Sequence, residues 1–169
     1  MTRSDEARSF VPDPENGRLL RDAFGRFATG VTVVTAATSE GCVAITANSF
    51  SSLSMDPPLV LWSPALHSAR YPAFAQAEHY AIHVLAADQA ELAWAVARDR
   101  NAVSSRDHDV NAEGVPVLNR CLARFDCRQH AMHEAGDHVI VVGRVLRATI
   151  SDGEPLAFFG GRVATLAVN

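Results

Sequence analysis

Apolar positions along the chain change period several times, and each change marks an element. Leu20, Ala23, Phe24 and Phe27 stand at i, i+3, i+4 and i+7, which is one face of a helix and predicts a core-facing stripe. Gly30 follows where a left-handed residue would close that helix. Val31 to Thr35 is a β-branched run and predicts a strand. Ser39-Glu40-Gly41 supplies a turn, so this strand and Cys42–Thr46 form a hairpin. Asn48 to Ser54 is rich in hydroxyls and reads as a loop or bulged strand. Asp56-Pro57-Pro58 imposes an extended entry into a further strand, Leu59–Trp62. Ser68 to Ala77 predicts a short helix with Pro72 in its first turn. Tyr80 to Leu85 predicts a strand with Tyr80, Ile82 and Val84 on one face.

The second half repeats this grammar. Asp88-Gln89-Ala90-Glu91 has the form of an acidic capping box, opening a helix to about Arg98 on Leu92, Ala95 and Val96. Asn101 to Gly114 is polar and irregular, a long loop of the kind that is functional or mobile in a compact domain. Leu122 to Met132 alternates, with Ala123, Phe125 and Cys127 against Arg124, Asp126 and Arg128. Glu134-Ala135-Gly136-Asp137 predicts a hairpin turn into His138–Val145, the most apolar strand of the chain. Asp152-Gly153 turns again, and Pro155–Phe159 and Arg162–Leu166 close the chain. About seven or eight strands in short-turn succession with two or three helices predict a mostly β fold with flanking helices, its antiparallel sheet closing into a barrel. Residues 1–15 read as a flexible arm and 16–169 as one domain.

Composition narrows the classes. The chain has 169 residues, 48% of them apolar, and a formal net charge of −4. That is enough for one real core, and the acidic balance without a Lys/Arg stripe argues against nucleic acid or an anionic membrane as the main partner. Three cysteines without a CxxC pair give no disulfide framework, which suits a reducing cytoplasm. The polar N-terminus shows no secretory h-region, and no apolar run reaches membrane-spanning length. Cys127, His130 and His133 could suggest a metal site, but a spacing of three places strand neighbours on opposite faces, so no metal is expected. There is no GxGxxG and no phosphate-binding lysine loop.

Four segments in order carry a resemblance: Phe27-Ala28-Thr29-Gly30-Val31-Thr32-Val33-Val34-Thr35, Ala47-Asn48-Ser49-Phe50-Ser51-Ser52-Leu53-Ser54, Asp56-Pro57-Pro58-Leu59-Val60, and Gly136-Asp137-His138 with the β-run to Gly143-Arg144-Val145. Together they resemble the flavin reductase family with the FMN-binding split barrel, over roughly Leu20 to Leu166. The resemblance implies a homodimeric antiparallel split β-barrel. It implies reduction of FMN or FAD by NADH or NADPH, with reduced flavin diffusing to a partner monooxygenase. It also implies roles position by position. Thr29, Gly30, Thr32 and Val33 border the flavin; Ala47, Asn48 and Ser49 meet its ring edge; Leu53 and Ser54 lie near the ribityl chain or phosphate. Ser68 with Arg70 stands where a phosphate is held, and His138, on the turn shaped by Gly136 and Asp137, stands beside the nicotinamide.

The residue types suit that chemistry. Flavin accepts the hydride, so the protein has mainly to stack and order two rings. Short side chains at Ala47, Asn48 and Ser49 let backbone N–H groups approach a ring edge. A serine ahead of a helix suits a phosphate. Two rival readings remain at this level: a split-barrel protein that binds flavin tightly as an electron carrier or sensor without nicotinamide turnover, and an oxidase that keeps FMN and oxidises a small amine.

Overall fold

A computed structural model describes residues 7–166. The elements in chain order are α1 (Gly17–Phe24), β1 (Thr29–Gly30), β2 (Thr32–Thr38), β3 (Gly41–Ala47), β4 (Ser51–Met55), β5 (Pro58–Trp62), α2 (Tyr71–Gln76), β6 (His79–Val84), α3 (Ala90–Arg98), β7 (His108–Val110), β8 (Pro116–Leu118), β9 (Ala123–Ala135), β10 (His138–Ile150), β11 (Leu156–Phe159) and β12 (Arg162–Thr165). Seven strands form one antiparallel sheet in the order β3-β2-β6-β9-β10-β5-β4; β1, β11 and β12 form a second sheet, and β7 pairs with β8. The main sheet is not closed by hydrogen bonds: β3 and β4 are its two edges, joined through Asn48-Ser49-Phe50. The architecture is thus a mostly β, antiparallel split barrel, and the split falls where the candidate residues lie.

Turn chemistry sets the register as the sequence implies. Gly41 takes φ 114° after Ser39-Glu40 in the β2–β3 hairpin. In the β9–β10 hairpin, Ala135 pairs with His138 across Gly136-Asp137, and Gly136 takes φ 66°. A two-residue hairpin loop needs that positive φ at its first position, which glycine supplies without strain. β2 sends Val34 and Ala36 into one core cluster with Trp62, Phe74, Tyr80 and Ile82. Its alternate residue Val33, with Val31 just before the strand, enters a second cluster with Leu85, Val96, Leu118 and Leu156 under α3. A strand covered on both faces reads as a run without charged residues, as Val31–Ala36 does, with Thr32 and Thr35 its buried polar members.

Several expectations are corrected. α1 ends at Phe24, and its apolar stripe does not enter the core: Phe24 is 68% and Phe27 78% exposed. Gly30 lies on β1 and is not among the glycines with positive φ. The turn before α3 is closed by Gln89, whose Oε1 accepts from the Ala86 N–H at 2.8 Å, while Asp88 pairs with Arg120. The 101–114 loop carries β7, so the described residues hold twelve strands in all. Asp126, which alternates with apolar residues along β9, is nevertheless 1% exposed and lies 3.0 Å from both Arg124 Nε and Arg147 Nη1. Burial of that carboxylate is compensated by its two guanidinium neighbours. β6 is buried on both faces, His83 included. Of the N-terminal arm, residues 1–6 lie outside the described part; Asp13 caps a single 3-10 turn over Pro14–Asn16 by accepting from Glu15 and Asn16 N–H groups.

Candidate active site

Where the barrel splits, a cleft of about 330 Å³ opens between the end of β3, the end of β5 and the start of β10. Ala47, Asn48, Ser49, Ser68, Arg70 and His138 all line it. Those positions span ninety residues of sequence, and the sheet order brings them together.

Each wall is fixed by a short polar tie. Thr32 Oγ1 donates to Ala47 O at 2.7 Å, and Thr46 Oγ1 donates to Ala93 O on α3 at 2.7 Å. Ser49 Oγ accepts from the Ser63 N–H at 2.9 Å, locking the β3–β4 connection to the end of β5. These short ties hold the backbone of residues 47–49 at the cleft wall. Arg70 Nη2 donates to Val96 O at 2.7 Å and Ala97 O at 3.2 Å, which caps the last turn of α3. Its Nε is buried in the cleft wall without a partner. Ser68 Oγ accepts from the Arg70 N–H at 3.3 Å and sits three residues ahead of α2, not at its N-cap.

His138 is held from two directions. The segment after β5 bonds across the start of β10: the Val139 N–H donates to Pro64 O at 3.0 Å and the Leu66 N–H to Asp137 O at 2.9 Å. Its ring Nδ1 lies 2.7 Å from Asp137 Oδ1. That contact holds the Asp137 carboxyl below the ordinary aspartate range, first through the hydrogen bond and then through the imidazole charge. Nε2 is left as the ring atom able to meet a ligand. A carboxylate behind an imidazole fixes the orientation of the ring.

Not every candidate position reaches the cleft. Val33 is fully buried in the second core cluster, and Thr32 is 2% exposed beneath Ala47, where it positions that residue's backbone. Leu53 and Ser54 lie on edge strand β4, beside the register shift between Ser52 and Ser54, and do not line the cleft. Thr29 lines a neighbouring depression rather than this cleft, and Gly30 lines neither. Gly136 and Asp137 act as the turn under His138.

Asn48 is the common corner of three depressions. Beyond it lies an apolar pocket of about 340 Å³ against Trp94, Ala97 and Phe158. Past Phe158 lies a larger depression of about 950 Å³ that includes Thr29. Trp94 and Phe158 were not singled out in the sequence. A tryptophan off the apolar face of α3, 42% exposed, was the available signal.

Comparisons agree with this geometry. Residues 24–167 match the family described as the flavin reductase like domain. The chain is similar to the FMN reductase (NADH) SmoA of Agrobacterium fabrum, 58% identical over 152 residues, covering 90% of this chain and 87% of that protein. It is similar to the reductase component of the flavin-dependent trigonelline monooxygenase of Acinetobacter baylyi, 41% identical over 156 residues, covering 89% of this chain but 49% of that protein. Among solved structures, the Streptomyces globisporus NADH:FAD oxidoreductase SgcE6 in complex with NAD and FAD fragments superposes with TM-score 0.86 at 34% identity, covering 94% of this chain and 98% of that one. An open antiparallel barrel with its small-residue cleft at the split, matched over residues 24–167, makes this chain a member of the flavin reductase like family.

Proposed function

We propose that the protein is an NADH-dependent flavin reductase that reduces FMN or FAD and supplies the reduced flavin to a partner monooxygenase. One observation carries the reading: Ala47, Asn48, Ser49, Ser68, Arg70 and His138 converge on one cleft of a flavin reductase like chain. The groove fits a flavin. Short side chains, Ala47, Asn48, Ser49 and Ser68, line much of it, and one buried polar atom of a lining residue, Arg70 Nε, has no partner within the protein. Buried polar atoms are nearly always paired, so this orphan suits a polar ligand.

Bound flavin supplies the hydride acceptor. The chain binds and orients. Residues 47–49, fixed by Thr32 and Ser49, form the rigid wall for a ring edge. Arg70 faces the cleft with its unpartnered Nε, where an anionic group is favoured. His138, held by Asp137, presents Nε2 to the nicotinamide amide or ribose and is placed to hold a proton there. The site works in a homodimer, supported by Leu53 and Met55, 50% and 92% exposed on edge strand β4, an apolar face that a second copy would cover. Cytoplasmic residence follows from the need for NADH; no helix of the described residues is long and apolar enough to cross a membrane.

The test is a spectrum with an assay. Purified protein should be nearly colourless and oxidise NADH only when FMN or FAD is added. Firmly yellow protein that ignores NADH would show a flavin binder instead. Sedimentation at micromolar concentration should give a dimer; a fully active monomer removes that part of the reading.

A further inference from the structure

The large depression beyond Asn48 is chemically unlike the rest of the surface. Arg18 and Arg21 of α1, Arg26, and Arg162 at the start of β12 line it, with Asp22 as the one acidic residue. Four cations against one anion gather here on a chain whose net charge is −4. None of the four arginines forms an ion pair among the described residues. The exposed rings of Phe24 and Phe27 stand among them. Thr29 Oγ1, buried and unpartnered, is in the same wall. The Gly160-Gly161 turn, at φ 57° and 78°, also lines it, and no side chain there blocks approach to the backbone. The depression reaches the His138 cleft through Asn48, which lines both.

Guanidinium groups bind phosphate oxygens bidentately, and aromatic faces stack on bases. Both chemistries occur together in one concavity that is continuous with the redox cleft. A mononucleotide ring system in the cleft has no use for a second aromatic and cationic station beyond it, whereas a dinucleotide has. We propose that this depression receives the adenosine diphosphate half of a dinucleotide, of FAD or of NADH, whose redox ring occupies the His138 cleft. Arg21 and Arg162 hold the diphosphate, Phe27 stacks on the adenine, and Thr29 Oγ1 meets a ribose or phosphate oxygen. The proposal rests on the reductase reading only for where the redox ring sits.

The test titrates the protein in its native assembly with ADP by calorimetry, for the parent, for Arg21→Glu/Arg162→Glu and for Phe27→Ala. These side chains are outside the core, and melting curves confirm folding. ADP should bind the parent and weaken at least about tenfold in the arginine variant, the size of a lost charge-assisted contact, while FMN affinity stays within about twofold. Two arms then identify the source. If the station serves flavin, FAD affinity falls with ADP affinity. If it serves the nicotinamide nucleotide, KM for NADH rises about tenfold while KM for reduced nicotinamide mononucleotide does not. The proposal is overturned if ADP fails to bind the parent, if the arginine variant binds ADP as the parent does, or if FMN and the reduced mononucleotide weaken as much as the dinucleotides. A parent that binds ADP but does not oxidise NADH with added flavin refutes the reductase reading and leaves the station standing.

Discussion

His83 makes the stability of this fold sensitive to mild acid. Its ring is fully buried between strands: Nδ1 lies 2.9 Å from Val33 O, and the Leu118 N–H donates to Nε2 at 3.1 Å. The second contact requires an unprotonated Nε2, so the neutral tautomer with the proton on Nδ1 satisfies both partners. Adding a proton would set N–H against N–H in a fully buried site. Burial, with the nearby Arg124 charge adding to it, outweighs the Val33 hydrogen bond and the Asp126 charge and pushes the pKa down to about 4 from 6.5. The folded pKa is thus below the unfolded one. The unfolded chain binds the extra proton first, so stability is unaffected above about pH 6.5 and is lost as pH falls toward 4. At 1.36 kcal/mol per unit, the full loss is about 3 kcal/mol, and about 2 kcal/mol of it has occurred by pH 5. In a domain of this size that is about 4–8 °C in melting temperature. Melting curves from pH 8 to 5 on the parent and on His83→Gln, which cannot take the proton, isolate the effect from carboxylates. The variant should be less stable at pH 8 but lose about 2 kcal/mol less between pH 7 and 5. Equal pH slopes in the two proteins would refute the reasoning.

Three further substitutions probe the packing. A methyl added at Gly143 would overlap the buried Tyr80 hydroxyl and lie 3.2 Å from Cys127 Cβ, so Gly143→Ala should cost about 1–3 kcal/mol. Because the Tyr80 hydroxyl has no partner, Tyr80→Phe should recover much of that cost in the double variant, and urea melts giving purely additive losses would deny the overlap. Gly30→Val should leave stability within about 0.5 kcal/mol, since Gly30 lacks a left-handed φ and its Cβ would meet open space. A melting-temperature drop of many degrees would show that Gly30 is conformationally required after all.

Local signals explain what was legible. The Ser39-Glu40-Gly41 and Gly136-Asp137 turns and the β-branched runs are decisions made within a few residues, and the structure keeps them, whereas Asp56-Pro57 forms a two-residue turn between Met55 and Pro58 in place of an extended entry. The convergence of residues 47–49, 68, 70 and 138 came through resemblance, since no local rule links positions ninety residues apart. What failed depended on partners elsewhere in the fold. Periodicity correctly found an apolar face on α1, but it does not say what covers that face, and the protomer leaves it open. Val33 and Thr32 look like site residues in line with Thr29, yet β2 is sandwiched between two core clusters. Arg70 reads as a phosphate ligand, but half of its guanidinium caps α3, a helix twenty residues away in sequence. Asp126 alternates with apolar neighbours as an outward residue would, and its burial is compensated by Arg124 on its own strand together with Arg147, which local pattern does not place, on the paired strand.

His138 bears the central claim, that the cleft at the split barrel performs hydride transfer between NADH and a bound flavin. His138→Ala removes one contact at a hairpin end where the ring is half-exposed, so the fold should stand. Stopped-flow bleaching of flavin by NADH, at saturating flavin and beside a flavin titration, separates binding from chemistry. The account predicts flavin affinity nearly unchanged and a bleaching rate lower by about 10–100-fold, the loss of one hydrogen bond of about 1.5–3 kcal/mol. An unchanged bleaching rate in a correctly folded His138→Ala protein would contradict it.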